Sequence, residues 1–504
     1  MLAKRSFYNL TFGMVGQLIT ISLGLLIPRI FLVHYGSEVY GFISSIGQII
    51  VYMSLLEAGV GAATLQALYK HVAKVDQQNI NSILAATSNF YKKTGMYYLI
   101  SVILLSIIYP FIVDSTLDKT TIIIVVLFTG LGGALNYYFQ GTYTIFLIAE
   151  GKGYINTSIT TIINILVSSI KIILILKGFN IIIIQGSYFF MSIIQIFIYK
   201  VYINKNYKWI DLKVNPNFES IAQKNSVIVH QISGMIFRNT DVLVLTIFTN
   251  LKIVSVYVLY NLLFSVIDNI INTVNNSIIF ALGRTFHQSR DIFIKLYDAY
   301  EVYFMALVFS LFTIAYIFIL PFMKIYTSGI EDINYIDFWL PILFVLLKLL
   351  SNARASSNSL IEIAGHFSKT KYRSIIESLI NLVSSIIFVQ FFGIYGVLLG
   401  TIMALLYRSV DIIIYANKRI LKRSSWITIK RWIINFGIIL VIVFTTDHIN
   451  INLTSYISVV SWAAMFTVII LLIFFTVSSL FEKEIFVYTF KYLVRLKKGK
   501  IKRS

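Results

Sequence analysis

Two stretches decide how this chain is built: Asn164-Ile165-Leu166-Val167-Ser168-Ser169-Ile170 and Asn381-Leu382-Val383-Ser384-Ser385-Ile386. The second restates the first inside another apolar run, at an offset close to the roughly 214 residues that other segments share. Ala67-Leu68-Tyr69-Lys70 returns as Ala281-Leu282-Gly283-Arg284, and Tyr109-Pro110-Phe111 as Leu320-Pro321-Phe322. Ile148-Ala149-Glu150-Gly151 returns loosely as Ile363-Ala364-Gly365, and Gly178 and Gly186 as Gly393 and Gly400. One such pairing is weak in an isoleucine-rich chain. Their common order and spacing make an internal repeat.

What is repeated is membrane helix. Hydrophobic residues make up 58% of the 504 and charged residues only 13%, where a soluble domain is about a quarter charged. Apolar runs long enough to cross roughly 30 Å of hydrocarbon recur down the chain. They must be helices, because backbone groups in lipid need partners within their own segment, and no pattern of short alternating strands suggests a barrel. The runs predict helices at about 9–33, 39–68, 88–113, 120–148, 154–177, 180–202, 225–249, 253–282, 295–325, 338–362, 370–391, 394–416, 430–448 and 454–480.

Each repeat holds six of these helices, and six crossings return the chain to its starting side. The halves are therefore parallel, related by an axis along the membrane normal, which is a secondary-transporter plan. The expected fold is an all-α integral membrane protein of about fourteen transmembrane helices. Two six-helix bundles, 1–203 and 225–417, surround a central cavity; a cytoplasmic linker, 204–224, carries Pro216. A basic cytoplasmic linker (418–429), two further helices (430–480) and a basic tail (481–504) follow. In the tail Lys491, Arg495, Lys498 and Lys502 fall at helical spacing, offset from Phe486, Phe490 and Leu493. That pattern suits an interfacial helix on anionic headgroups.

Lysine and arginine give the orientation. Loops on one side hold few: Arg29, Lys119, Lys177, Lys252 and Lys324. The other side holds Lys70, Lys74, Lys92 and Lys93; Lys205, Lys208 and Lys213; Arg284 and Arg290; Lys369, Lys371 and Arg373; and a run from Lys418 to Arg431. The positive-inside rule places both termini in the cytoplasm. The net charge of +20 then reads as topology rather than nucleic-acid binding. The start, Met1 to Val33, is too long for a signal peptide and reads as a retained first helix. With no cysteine, disulfides, thiol catalysis and cysteine-ligated metals are excluded. No nucleotide-binding loop, metal cluster or catalytic constellation stands out, so neither an enzyme, a cofactor nor a metal is expected.

Ionisable residues inside membrane helices cost about 2.5–3.5 kcal/mol each near the bilayer centre and need a partner or water. Arg238 lies near the middle of the seventh helix with Asp241 three residues on: either a self-satisfied pair, or a cavity cation tempered by the carboxylate. The tenth helix carries Lys348 and, within a polar run, Arg354: Ser351-Asn352-Ala353-Arg354-Ala355-Ser356-Ser357-Asn358-Ser359, which must face protein or line a cavity. Arg29 after Pro28, Lys171, and Arg408 with Asp411 three residues on, either join a cationic cavity or snorkel to the interface. Glu57 and Asp268 are the deepest acids; they bind a coupling proton or sodium ion, or pair with the cations. Pro28, Pro110, Pro321 and Pro341 mark outer helix ends and either bend a gate or simply terminate the helices.

The opening carries more specific wording. It runs Pro28-Arg29, then His34-Tyr35-Gly36-Ser37-Glu38-Val39-Tyr40-Gly41-Phe42, then Leu55-Leu56-Glu57-Ala58-Gly59-Val60-Gly61, then Ala67-Leu68-Tyr69-Lys70, and Glu150-Gly151-Lys152 follows the fourth helix. These segments resemble the Wzx-like polysaccharide flippases of the multidrug/oligosaccharidyl-lipid/polysaccharide (MOP) exporter superfamily. The resemblance implies a bacterial plasma-membrane protein. It would move undecaprenyl-diphosphate-linked oligosaccharide repeat units to the outer leaflet by alternating access, for O-antigen, capsule or exopolysaccharide synthesis. It further implies a cationic cavity, with Arg29 matching the family's arginines by position, and a polysaccharide polymerase as possible partner machinery. The rivals are a lipid II flippase, a multidrug exporter of the same superfamily, and a non-transporting scaffold. An exporter of organic cations should have an acidic, aromatic cavity, and the cations inside these helices argue against one.

Overall fold

The computed structural model describes residues 2–57, 59–221, 225–286, 288–446 and 453–497. Within them the chain is all helix, with no strand. Eleven continuous helical runs are long and apolar enough to cross a membrane. Two of these are each broken at a glycine into two helices, at Gly36 (φ +78°) and Gly393 (φ +54°). Positive φ is a conformation that a side chain resists, and it lets the chain reverse there with a single residue. Adding Asn225–Phe248, the described residues hold fourteen membrane-length helices, as the hydrophobic runs predict. The protein is a multi-pass membrane protein.

We number them α1 (2–35), α2 (37–57 and Val60–Ala73), α3 (Gln77–Ile112), α4 (Lys119–Ala149), α5 (Gly153–Leu176), α6 (Ile181–Asn206) and α7 (Asn225–Phe248). There follow α8 (Leu251–Phe286), α9 (Arg290–Tyr326), α10 (Trp339–Ile363), α11 (367–392), α12 (394–421), α13 (Trp426–Thr446) and α14 (Tyr456–Phe481). A fifteenth helix, α15 (Lys483–Lys497), covers part of the predicted basic tail. Lys498 and Lys502, also assigned to that tail, lie outside the described residues. Several helices start earlier than hydropathy suggests, because polar caps extend them past the apolar run. Asp76 accepts from the Asn79 amide and opens α3 eleven residues before the predicted 88; Asp118 does the same for α4 through Thr121. These side-chain oxygens satisfy amides that a helix N-terminus leaves unpaired.

By packing, the chain divides into two compact units, residues 1–259 with 330–333, and residues 260–329 with 334–504. In the first, α3 and α4 lie close because glycines face bulky side chains: Gly130 meets Val102, and Gly141 meets the Tyr91 ring. Leu68, Leu84 and Phe146 form a core at one end of that bundle. Gly36 turns the chain so that the Ser37 amide and hydroxyl both donate to Asp332, at 2.8 and 2.6 Å. A carboxylate is well placed at the positive end of α2.

In the second unit α11 and α12 form a tight antiparallel pair. A Cβ on Gly400 would sit 2.5 Å from the Ser385 amide nitrogen, and one on Gly396 would collide with the Phe388 carbonyl. Two glycines four apart admit this close approach, as in membrane helix pairs generally. The last helices, outside the sequence repeat, are fastened to α9 by buried charges. Arg431 of α13 bonds Asp298 (2.9 Å), Glu301 and Glu482 (3.2 Å). Arg423 reaches the same two α9 carboxylates at 2.6 and 3.3 Å.

Candidate functional site

The most irregular backbone of the first unit meets at a carboxylate. Helix α2 tightens into a 3₁₀ turn over Ser54–Glu57 and breaks before Gly59 (φ +85°). Opposite, α4 widens into a π segment over Asn136–Gln140, a distortion that tends to mark functional sites. Between them the Tyr91 hydroxyl of α3 donates to Glu57 Oε1 at 2.5 Å. The Tyr137 ring packs against Tyr91, centroids 6.1 Å apart. Two amide oxygens of the π segment, Asn136 Oδ1 and Gln140 Oε1, are buried with no hydrogen-bond partner among the described residues. Glu57 was visible in the sequence by its depth. The tyrosines and the π segment were not, since nothing distinguishes them from the chain's 32 tyrosines.

The 3₁₀ turn leans on α7. Ser54 Oγ lies 3.9 Å from Met235 Sδ, and the Tyr52 hydroxyl donates to the Ile236 carbonyl at 3.1 Å. Arg238 follows within one turn. It is thirteen residues from one end of the 24-residue helix and ten from the other, so it sits near the middle of α7. The guanidinium is exposed and folds back beside Gly234, and no described carboxylate lies within ion-pair distance of it. Asp241, expected as its possible partner, is buried instead and accepts from the Tyr257 hydroxyl at 2.7 Å. Of the two readings of this pair, the self-satisfied one does not describe the geometry.

The deep charges of the second unit are paired. Lys348 Nζ donates to Asp268 at 2.7 Å and to Asn261 at 3.0 Å, and Asn352 completes Asp268 at 2.8 Å. Glu377 sits between Arg354 (2.7 Å) and Arg408 (3.3 Å). Asp411 joins Arg408 (2.6 Å) to Arg373. Three guanidinium groups thus face two carboxylates, one positive charge in excess, and Arg354 Nη1 is buried without a hydrogen-bond partner among the described residues. Sequence depth identified Lys348, Arg354 and Arg408, but not that Glu377 and Asp411 neutralise most of their charge.

The remaining cations are dispersed. Arg29 is half-buried on α1, seven residues before the Gly36 turn. The Lys171 ammonium of α5 lies 5.1 Å from the Tyr188 ring centroid on α6. The quoted opening segment turns out to hold polar contacts at the helix ends: Glu38 accepts from Ser115 and from the Thr116 amide at 2.8 and 2.6 Å. Likewise Lys152 pairs with Glu150 (2.7 Å) and donates to Tyr207 (2.5 Å).

Similarity to known proteins is of fold alone. No family model matches the sequence, and no curated protein does so significantly. Among solved structures, the lipid II flippase MurJ in an inward closed conformation superposes with a TM-score of 0.69 at 15% identity, covering 95% of this chain and 100% of its own. An inward-facing MATE-family multidrug transporter of the MOP superfamily gives 0.61 at 14%, covering 80% and 95%. A MOP-superfamily transporter from Pyrococcus furiosus, described as having reversed binding-pocket polarity, gives 0.50 at 14%, covering 84% and 97%.

Proposed function

We propose that this chain is a flippase that carries undecaprenyl-diphosphate-linked oligosaccharide units from the cytoplasmic to the outer leaflet by alternating access, with both termini cytoplasmic. A diphosphate cannot cross hydrocarbon unaided, whereas an isoprenoid tail can stay in lipid, so only the headgroup needs protein. The observation that carries the reading is Arg238: an exposed guanidinium midway along α7 with no carboxylate within ion-pair distance among the described residues. Arginine's planar fork suits phosphate oxygens. The excess positive charge of the Arg354–Arg373–Arg408 cluster, whose Arg354 Nη1 has no hydrogen-bond partner among the described residues, is a second anion-compatible surface. Lys171 and Arg29 are lesser candidates; Lys348, fully engaged by Asp268 and Asn261, is the weakest.

In this reading Glu57 is the coupling group and takes up a proton. It sits at a helix break facing the π segment, whose Asn136 Oδ1 and Gln140 Oε1 have no hydrogen-bond partner among the described residues, and the same 3₁₀ turn packs against α7 one turn before Arg238. A change of charge at Glu57 thus has a short packed route to the anion site. Asp241 and Asp268 are committed to Tyr257 and Lys348, and so are poorer coupling sites.

The test is deletion of the gene, followed by extraction of lipid-linked intermediates and complementation with wild type or Arg238→Ala. Accumulation of undecaprenyl-linked oligosaccharide with continuing cell-wall synthesis, unrescued by the variant, is the expected result. A lipid II flippase is the second reading, favoured by the likeness to MurJ over nearly the whole chain. Lysis with lipid II accumulation would establish it in place of the first. Raised drug sensitivity with neither intermediate changed would overturn both.

A further inference from the structure

A groove on the second unit is unrelated to any of the charges above. It is an open cavity of about 770 Å³ between α9, α14 and α15, walled mainly by Tyr303, Phe475, Leu480, Phe486, Val487 and Phe490. That size lies within the roughly 300–1,000 Å³ of ligand pockets. Its deep wall is rigid: Tyr303 stacks on Phe475 (5.6 Å, 19°), and its hydroxyl is 3.2 Å from Ser479 Oγ. Those two hydroxyls satisfy one another, and Thr489 returns its own to the Ile485 carbonyl at 2.8 Å. The groove therefore offers a ligand aliphatic and aromatic surface and few polar groups. Its outer wall is α15, whose Phe486, Val487 and Phe490 are 45–59% exposed.

The rim has a charge. Lys483 lines the groove, and Lys491 lies two turns along α15; both are exposed. Lys295 of α9 stands over the Tyr488 ring at 5.9 Å and is exposed as well. Along Lys483–Lys497 four basic residues face one acid, Glu484. An open apolar slot at the end of a transmembrane helix, with the Lys483 ammonium in its wall and further basic residues along α15, matches one kind of molecule. That molecule has a flexible hydrocarbon chain below and an anionic head above.

We infer that this groove is a binding site for an anionic phospholipid of the cytoplasmic leaflet, one acyl chain lying against Tyr303 and Phe490 and its phosphate held by Lys483, with the charge of Lys491 about 12 Å farther along α15 adding to the attraction. The leaflet rests on the orientation proposed above; the chemistry of the site does not. Bound there, the lipid would splint α15 to α9 and α14, so that the terminal helix docks only on a membrane of suitable charge.

The experiment uses the full chain in vesicles of phosphatidylethanolamine doped with a photoactivatable phospholipid, its diazirine in the acyl chain and its head either phosphatidylglycerol or phosphatidylcholine. After irradiation, labelled peptides are mapped by mass spectrometry. The expected result is labelling of 475–490 at least five-fold stronger with the phosphatidylglycerol probe. Val487→Trp, which fills the slot, should lose it, and Lys483→Glu/Lys491→Glu, which changes only exposed side chains, should retain labelling but lose the preference. Equal labelling by both heads would reduce the groove to ordinary lipid contact and overturn the site. Absence of labelling, or cross-links to a second copy of the chain, would overturn it too. Lys483→Cys, the only thiol because the sequence has no cysteine, reports sidedness separately. Reaction from the outside would sink the orientation and leave the lipid site standing.

Discussion

The Tyr91 hydroxyl donates to the Glu57 carboxylate at 2.5 Å, across the point where α2 is broken. A helix break leaves backbone groups without their usual partners, and in a membrane interior such breaks persist only where protein or a water-filled path satisfies them. A carboxylate at that position has two charge states to choose from, and one tyrosine proton stabilises the charged one. Glu57→Gln keeps the acceptor and removes the charge. It should lower transport at least ten-fold in reconstituted vesicles and abolish its dependence on an imposed proton gradient. Tyr91→Phe should keep the dependence and lower the rate less. Full transport by Glu57→Gln, with an intact gradient response, would remove Glu57 from the coupling role.

Arg238 tests the anion site. Hydrogen bonds to a charged group contribute about 1.5–3 kcal/mol each, so losing one costs roughly ten- to a hundred-fold in affinity. Arg238→Ala should raise the apparent dissociation constant for a lipid diphosphate by that factor, read by tryptophan fluorescence or native mass spectrometry. The melting temperature should hardly move, because the side chain is exposed and bonds no carboxylate among the described residues. Arg238→Lys should recover only part, since an ammonium does not reproduce the two-pronged fork. Unchanged affinity in Arg238→Ala would shift the anion site to the Arg354 cluster.

The tight α11–α12 pair predicts a steep contrast between two glycines. A side chain on Gly400 runs into the Ser385 backbone, whereas one on Gly437 of α13 meets nothing within 4 Å. Overpacking costs about 1–3 kcal/mol where neighbours can shift, and backbone shifts least. Gly400→Val should sharply lower the thermal midpoint in detergent, and Gly437→Ala should leave it within error. Equal midpoints would mean that the helices separate without cost.

These cases show what was legible beforehand. The spans were, because hydrocarbon demands long apolar runs whatever their packing; even the single-residue reversals at Gly36 and Gly393 fell between predicted helices. The Gly393–Gly400 segment was legible through its echo of Gly178–Gly186. Depth alone picked out Arg238, Lys348, Arg354, Arg408 and Glu57. It could not tell which cations were spent. Lys348 and Asp268 lie 80 residues apart, Arg354 and Glu377 lie 23 apart, and their pairing depends on helix rotation that periodicity in an all-apolar helix does not report. Arg238 and Asp241, three residues apart on one face, left both a self-satisfied pair and a tempered cavity cation open, and Tyr257 donates to the carboxylate.

Asp118 gives a prediction in pH. It caps α4 outside the membrane-spanning run, and its hydrogen bonds with Thr121 hold its carboxyl below the usual range. A carboxyl lowered on folding stabilises the native state above its unfolded value, and that contribution fades as pH falls through the folded value. Asp118→Asn, which still caps but does not titrate, should therefore differ most from wild type at neutral pH. The two melting curves should converge on acidification below the ordinary carboxylate range. A constant offset at every pH would assign the difference to side-chain geometry rather than charge.

Arg431 gives the last and largest effect on stability. It is the hinge pin between α13, α9 and the start of α15, bonding Asp298, Glu301 and Glu482 at once. Glu301 is wholly buried and also accepts from Tyr297 and Thr428, at 2.9 and 3.0 Å. Removing the arginine leaves Arg423, at 3.3 Å, as its only ionic partner among the described residues. Removing one partner from a buried ion pair in this way costs about 3–5 kcal/mol, far more than the net contribution of an intact pair. Arg431→Ala should thus lower the thermal midpoint strongly and release α13–α14 to protease or hydrogen exchange before the rest of the protein. Arg373→Ala, removing a side chain 37% exposed, should cost no more than about 1 kcal/mol. If the two variants melted alike, the buried network would be a by-product of packing rather than what fastens the last two helices to the bundle.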